Sequence, residues 1–158
     1  MRDNYEDRAY TTIEGVPFVR LFVDGGASPV WAWDSLEYAD LELPVDVERR
    51  MRAWEDTYRA GGWEAPAAPP PPVAARHRAE GALLALLLAE HLGGSLAVEL
   101  AEGVADGPFG WDEASDEEGV RRSLADPAMF HANAPAADPA VAARVRWMVL
   151  HPFERPDE

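Results

Sequence analysis

The sequence predicts an α+β domain in which a small antiparallel sheet of about three strands packs against two main helices and a C-terminal helix. Three observations support this class. Residues 17–23 and 95–100 alternate in the way that half-buried strands do, two long segments carry apolar residues at helical spacing, and glycine pairs or prolines end most segments. With 158 residues, 47% apolar content and six tryptophans, the chain can bury a sizeable core.

The predicted sheet begins with a hairpin. Residues 17–23 are the first strand, and residues 24–29 (Asp-Gly-Gly-Ala-Ser-Pro) are typical of a turn, because glycine accepts positive φ and proline fixes its own φ. Residues 30–33 are then the returning strand. Residues 95–100 follow the second helix and supply the third strand, with its apolar side chains on one face.

The first main helix is predicted over residues 44–61. Proline at its first turn costs no hydrogen bond, and two carboxylates lie near the positive end of the helix dipole. A glycine pair ends it, since glycine accepts the left-handed conformation of a helix terminus. Its apolar stripe recurs at i, i+4, i+7 and i+11 and consists of Val47, Met51, Trp54 and Tyr58.

The second helix is predicted over residues 74–92, and its leucines almost encircle it. Such a helix is expected to be covered on several sides. A third helix is predicted from Asp138-Pro139, a typical helix start, to the proline at position 152.

The domain organisation follows from these elements. Residues 1–15 are polar and unpatterned and are expected to form a flexible N-terminal arm. Residues 16–100 form the core domain, in which residues 65–73 are a proline-rich surface loop, because consecutive prolines remove backbone donors. Residues 101–158 are expected to be an acidic loop and a helical extension packed on the core.

Part of this pattern resembles a known group of proteins. The matching signals are the strand end at Asp24, the Pro-Val-Trp of the returning strand, Met51-x-x-Trp54-x-x-x-Tyr58 and the leucine-rich helix up to Gly93. Over residues 16–100 the chain resembles short, uncharacterised actinobacterial α+β proteins. The resemblance implies a fold and no activity.

Two stretches carry all of the net charge. Residues 24–48 hold seven carboxylates and residues 99–118 hold eight, with no basic residue in either, and together they equal the formal net charge of −15. If the fold brings the stretches together, the protein presents a one-sided negative surface that attracts a basic partner and repels nucleic acid. The alternative is that these carboxylates are ordinary solvated residues that keep the protein soluble.

Several classes of function lack their sequence signals. There is no cysteine, so thiolate zinc sites and disulfides are excluded. His77 and Glu80 are three residues apart and could face the same way, but His91 is too far along the helix to share a metal with His77. His131 and His151 have no ligand-spaced neighbours. The histidines are expected to be solvated residues at helix edges, and no metal or cofactor is predicted. Nucleotide-binding, hydrolase and zinc-protease motifs are absent. With neither a signal peptide nor an apolar run long enough to span a bilayer, a cytoplasmic protein without membrane contact is expected.

We therefore predict a non-catalytic acidic binding protein that neutralises or escorts a basic protein partner, as immunity proteins and DNA-mimicking inhibitors do. Guanidinium groups pair with carboxylates and stack on aromatic rings, so tryptophans beside acids suit an arginine-rich partner. The candidate partner-binding residues are Asp34, Glu37, Asp40, Glu42, Asp112, Glu113, Asp116, Glu117, Glu118, Trp31, Trp33 and Trp111.

Two other classes stay open. The first is an enzyme or small-molecule-binding domain with a tryptophan-lined pocket near Asp24, although aspartate before two glycines is also ordinary turn chemistry. The second is a structural subunit whose leucine-rich helix completes its burial against another copy of the chain or a larger assembly. For Trp31 and Trp33, packing into the core is the alternative to partner contact.

Overall fold

The computed structural model describes residues 11–12, 15–23, 26–32, 34–60, 71–100 and 129–151. Within these ranges the chain forms four strands and four helices, which confirms the predicted α+β class. In chain order they are β1 (Phe18–Leu21), β2 (Val30–Trp31), α1 (Tyr38–Leu41), α2 (Val45–Ala60), α3 (Pro71–Leu92), β3 (Ala97–Leu100), β4 (Met129–His131) and α4 (Pro139–Leu150).

The four strands form one mixed sheet in the order β2-β1-β3-β4. β1 is antiparallel to β2 and β3 is antiparallel to β4, but the two central strands, β1 and β3, run parallel. The predicted antiparallel arrangement therefore holds only for the outer pairs. The cause is topological, because three helices lie between β2 and β3 and a helical crossover can return the chain alongside β1 in the same direction.

The two faces of the sheet differ in chemistry. Leu21 lies opposite Leu100 in the central register, and the apolar neighbours on that face are buried with them. On the other face Arg20 lies opposite Glu99, and both side chains are also buried. A sheet buried on both faces explains why β1 and β3 contain so few polar residues.

α3 packs on the apolar face of the sheet at Gly81. A Cβ atom at this position would lie 2.9 Å from the ring of Trp54 and 3.2 Å from Cδ1 of Leu100. The missing side chain therefore lets α2, α3 and β3 approach one another closely. α4 contacts α1, α3 and β1, and its Val145 is fully buried.

The first main helix agrees closely with its prediction. α2 covers residues 45–60, against the predicted 44–61. Val47, Met51 and Trp54 of the predicted stripe are buried, and Tyr58 is half-buried against the core. The pattern of apolar residues thus predicted both the helix and the face that it buries.

The leucine-rich helix differs from its prediction in two ways. α3 begins at Pro71 rather than at residue 74, since proline is tolerated in a first turn, where the N–H groups have no intrahelical acceptor. Its inward side, which includes Leu88, is fully buried, but Leu83 and Leu86 are 36% and 44% exposed. Within the single chain, therefore, the rest of the protein does not cover these two leucines.

The end of the described chain contains one predicted and one unpredicted element. α4 starts where predicted, with the Asp138 side chain accepting a hydrogen bond of 3.0 Å from the N–H of Ala140. β4 was not predicted, and it contains only three residues.

Two differences from the prediction lie nearer the start of the chain. α1 was not predicted and contains only four residues. The second hairpin strand ends at Trp31, whereas the prediction extended it to residue 33.

Candidate functional site

The first acidic stretch is attached to the hairpin by backbone hydrogen bonds. After β2, the N–H of Ala32 donates to the carbonyl of Asp34 (3.0 Å), and the N–H of Leu36 donates back to Val30 (2.8 Å). Ser35 Oγ also accepts a hydrogen bond of 2.8 Å from the N–H of Ala27 in the hairpin turn. These bonds hold residues 34–36 against the sheet in a defined conformation.

The acidic and apolar residues of this segment point in different directions. Leu36, Tyr38 and Leu41 are buried, whereas the carboxylates of Asp34 and Glu37 are exposed. Burial of the apolar residues fixes the backbone and thereby places the carboxylates on the surface. We call residues 34–42 the acidic segment.

An arginine from α4 neutralises one end of the acidic segment. Arg144 Nη2 donates to the backbone carbonyl of Asp40 and, at 3.2 Å, to the carboxylate of Glu42. Glu42 itself has left-handed backbone angles (φ 44°, ψ 49°) and ends α1, its N–H donating to the backbone carbonyl of Tyr38. Sequence reasoning missed Arg144 because 102 residues separate it from Glu42 and no local pattern connects them.

The acidic residues that follow in α2 also have basic neighbours. Glu48 pairs with Arg52 at 3.3 Å, one helical turn further along. The pKa of Arg50 is raised mainly by its hydrogen bond with Glu80 and, to a smaller extent, by the charge of Asp46. Some of the carboxylates between positions 24 and 48 are therefore compensated by arginines from other parts of the sequence.

The first residue of the second acidic stretch lies in the interior of the protein. Glu99 is 2% exposed, and its Oε2 accepts a hydrogen bond of 3.3 Å from Nε of Arg20, which is 7% exposed. Counting Glu99 as part of an exposed acidic stretch was wrong. A signal for the pair was present, since each predicted strand carries one charged residue among apolar ones and the two charges are opposite.

A second buried carboxylate binds a tyrosine of the acidic segment. The hydroxyl of Tyr38 donates to Glu55, which is 6% exposed, and the guanidinium of Arg52 lies 4.0 Å from the centre of the tyrosine ring. Burial, and then the hydrogen bond and charge of Glu55, raise the pKa of Tyr38. This contact connects the acidic segment to α2.

Replacing Tyr38 with phenylalanine is expected to lower the free energy of unfolding at pH 7 by about 1.5–3 kcal/mol, because buried Glu55 loses a donor. The folded-state pKa of Tyr38 is raised above the unfolded value of about 10. Its contribution is therefore complete below pH 10 and is lost as the pH rises further. In urea denaturation, the difference in free energy of unfolding between the wild type and Tyr38→Phe should be about 1.4 kcal/mol smaller at pH 11 than at pH 7. The same difference at both pH values would contradict this assignment.

The tryptophans have different environments. Trp54 is 3% exposed, as predicted for a core residue, and its Nε1 donates to the carbonyl of His77 at 2.9 Å. Trp31 is half-buried, stacks on Phe22 with ring centres 4.9 Å apart, and donates to the carbonyl of Phe22 at 3.1 Å. Its ring is held by the hairpin and leaves only part of its surface for a partner.

The other predicted site residues lie outside the described ranges. They are Asp24, Trp33 and the six candidates of the second stretch, namely Trp111, Asp112, Glu113, Asp116, Glu117 and Glu118. The structure describes Trp31, Asp34, Glu37, Asp40 and Glu42, which lie within twelve consecutive residues of the chain. The convergence of the two acidic stretches stays a prediction.

The histidines do not form a metal site within the described ranges, where no group of three or more potential ligands occurs. His91, His131 and His151 each place a ring nitrogen 2.8–2.9 Å from a backbone carbonyl. His77 is 5% exposed and stacks on Trp54 with ring centres 4.6 Å apart. The expectation of a solvated histidine is therefore wrong for His77, which lies on α3 and packs against Trp54 and Tyr58 of α2.

Comparison of the chain with protein-family models, with curated proteins and with solved structures finds no match. The resemblance of residues 16–100 to short actinobacterial proteins therefore stays a prediction. In the described part of the chain, none of the helices combines the length and the apolar character needed to cross a bilayer.

Proposed function

We propose that this chain is a non-catalytic acidic binding protein that recognises a basic protein partner through the acidic segment. The observation that carries the proposal is that exposed Asp34 and Glu37 flank Ser35 and Leu36, which hydrogen-bond to the hairpin. A surface that is already ordered loses little conformational entropy on binding, which favours affinity. A basic partner would supply the arginines that these carboxylates lack.

The contact is centred on the N-terminal end of the acidic segment. Among the described residues, Asp34 and Glu37 have no ion-pair partner, whereas Glu42 is already paired with Arg144. A partner guanidinium at Glu42 would have to compete with Arg144, so Asp34 and Glu37 are the stronger contacts. Trp31 pairs in an isolated β-bridge with Ser35, the neighbour of Asp34, and the exposed part of its ring is available for guanidinium stacking.

Long-range attraction comes from the rest of the sequence. The described ranges contain twelve acidic residues and nine arginines, so most of the net charge of −15 belongs to other parts of the chain. We infer that Trp33, Trp111 and the acids between positions 112 and 118 extend the surface. Electrostatic steering of this kind raises association rates by about 10 to 10³ and weakens as salt screens the charges.

Affinity purification from the native host tests the proposed function. The tagged chain should retain a basic protein at about 0.05 M salt and lose it at about 0.5 M, where the Debye length falls well below 10 Å. A neutral or acidic protein retained equally at both salt concentrations would contradict the proposal. So would the absence of any retained protein at the lower concentration.

A further inference from the structure

The outward face of α3 carries a regular stripe that has no function in the fold described above. Its residues follow one another at intervals of three and four, all are exposed, and they are Arg76, Ala79, Leu83, Leu86 and Glu90. This is the spacing of the contact stripe in a two-helix coiled coil. Single exposed leucines are common on protein surfaces, but two on one such stripe are more typical of a helix contact.

The charges at the two ends of the stripe determine what can cover it. Arg76 and Glu90 lie at opposite ends, fourteen residues apart, which corresponds to about 21 Å along a helix. Neither has an ion-pair partner among the described residues. A second helix with the same stripe, running in the opposite direction, would place opposite charges together at both ends.

We propose that α3 mediates an antiparallel homodimer in which Leu83 of each copy packs against Leu86 of the other. With this register, Arg76 lies about three residues, or about 4.5 Å along the axis, from Glu90 of the second copy. The two-fold symmetry produces this contact twice. A parallel arrangement would instead place Arg76 beside Arg76 and Glu90 beside Glu90, so charge complementarity selects the antiparallel one.

The dimer is independent of the proposed function and responds to salt in the opposite direction. Two copies of a chain with net charge −15 repel each other at long range, and salt screens this repulsion more than it weakens the two short Arg-Glu contacts. Self-association should therefore strengthen between about 0.05 and 0.5 M salt, whereas capture of a basic partner should weaken over the same interval. Failure of one proposal leaves the other testable.

Sedimentation equilibrium of the full chain from about 0.01 to 1 mM tests the dimer, because this range covers the weak affinity expected of a short interface. The wild-type chain should shift from monomer to dimer, and the double variant Leu83→Gln/Leu86→Gln should stay monomeric. Leu150→Gln is the matched control, since Leu150 is 43% exposed but lies on α4. A monomeric wild type at 1 mM and 0.5 M salt, or equal association of the double variant, would overturn the proposal.

Charge exchange tests the orientation. Arg76→Glu and Glu90→Arg should each weaken the dimer about tenfold, because each places like charges together twice, and the combined variant should return to within about twofold of the wild type. Thermal unfolding of every variant checks that the fold is intact, as expected for exposed positions. Failure of the combined variant to restore association would overturn the antiparallel arrangement.

Discussion

Replacing Glu99 with leucine is expected to lower the free energy of unfolding by about 3–5 kcal/mol. Arg20 keeps its buried charge in this variant but loses the carboxylate to which its Nε donates at 3.3 Å. Removing one partner of a buried ion pair has a cost of this size, because the remaining charge stays out of water. Denaturation in urea at pH 7 measures the change.

The double variant Arg20→Met/Glu99→Leu is the matched control. It removes both charges and retains side chains of similar volume, so its loss of stability should be much smaller than that of Glu99→Leu. With the single variant Arg20→Met as the fourth protein, the double-mutant cycle isolates the interaction between the two residues. A double variant less stable than Glu99→Leu would show that the pair is not the reason for the effect.

Replacing Trp54 with alanine is expected to destabilise the protein by about 3–5 kcal/mol. The indole is 3% exposed, packs against Gly81 and stacks on His77, and thus fills the contact between α2 and α3. Truncation leaves a large cavity, and the surrounding structure relaxes only partly into it. Thermal or urea unfolding followed by far-UV circular dichroism measures the loss.

Trp54→Phe separates packing from hydrogen bonding at the same position. Phenylalanine retains an aromatic ring but loses the Nε1 donor to the carbonyl of His77, so we expect a smaller loss than for alanine, of about 1–3 kcal/mol. If both variants lose the same stability, the hydrogen bond rather than the buried ring holds the two helices together.

The elements that the sequence predicted well are those with a strong local pattern. α2 carries a helical apolar stripe between a proline and a glycine pair, and α4 has both the Asp138 cap and a proline at its start. β4 and α1 were missed because three or four residues are too few to show a period. The parallel pairing of β1 and β3 depends on the crossover between them, which no local pattern encodes.

The candidate site was less predictable than the fold, because several of its contacts join residues that are distant in sequence. The exposure of Asp34 and Glu37 follows from their charge and from the burial of Leu36 between them. The partners of Glu42 and Glu99 are distant in sequence, at Arg144 and Arg20, and appear only when α4 and β1 are in place. Charge counted along a chain therefore overstates the charge that the folded surface presents.

The association rate of the purified basic partner tests the central proposal most directly. We compare the wild type with Glu37→Arg in the acidic segment and with Asp56→Arg, which makes the same charge change at an exposed carboxylate of α2 outside that segment. At low salt Glu37→Arg should slow association at least about fivefold, while Asp56→Arg should stay within about twofold of the wild type. Equal slowing by both variants, or none by Glu37→Arg, would contradict recognition through the acidic segment.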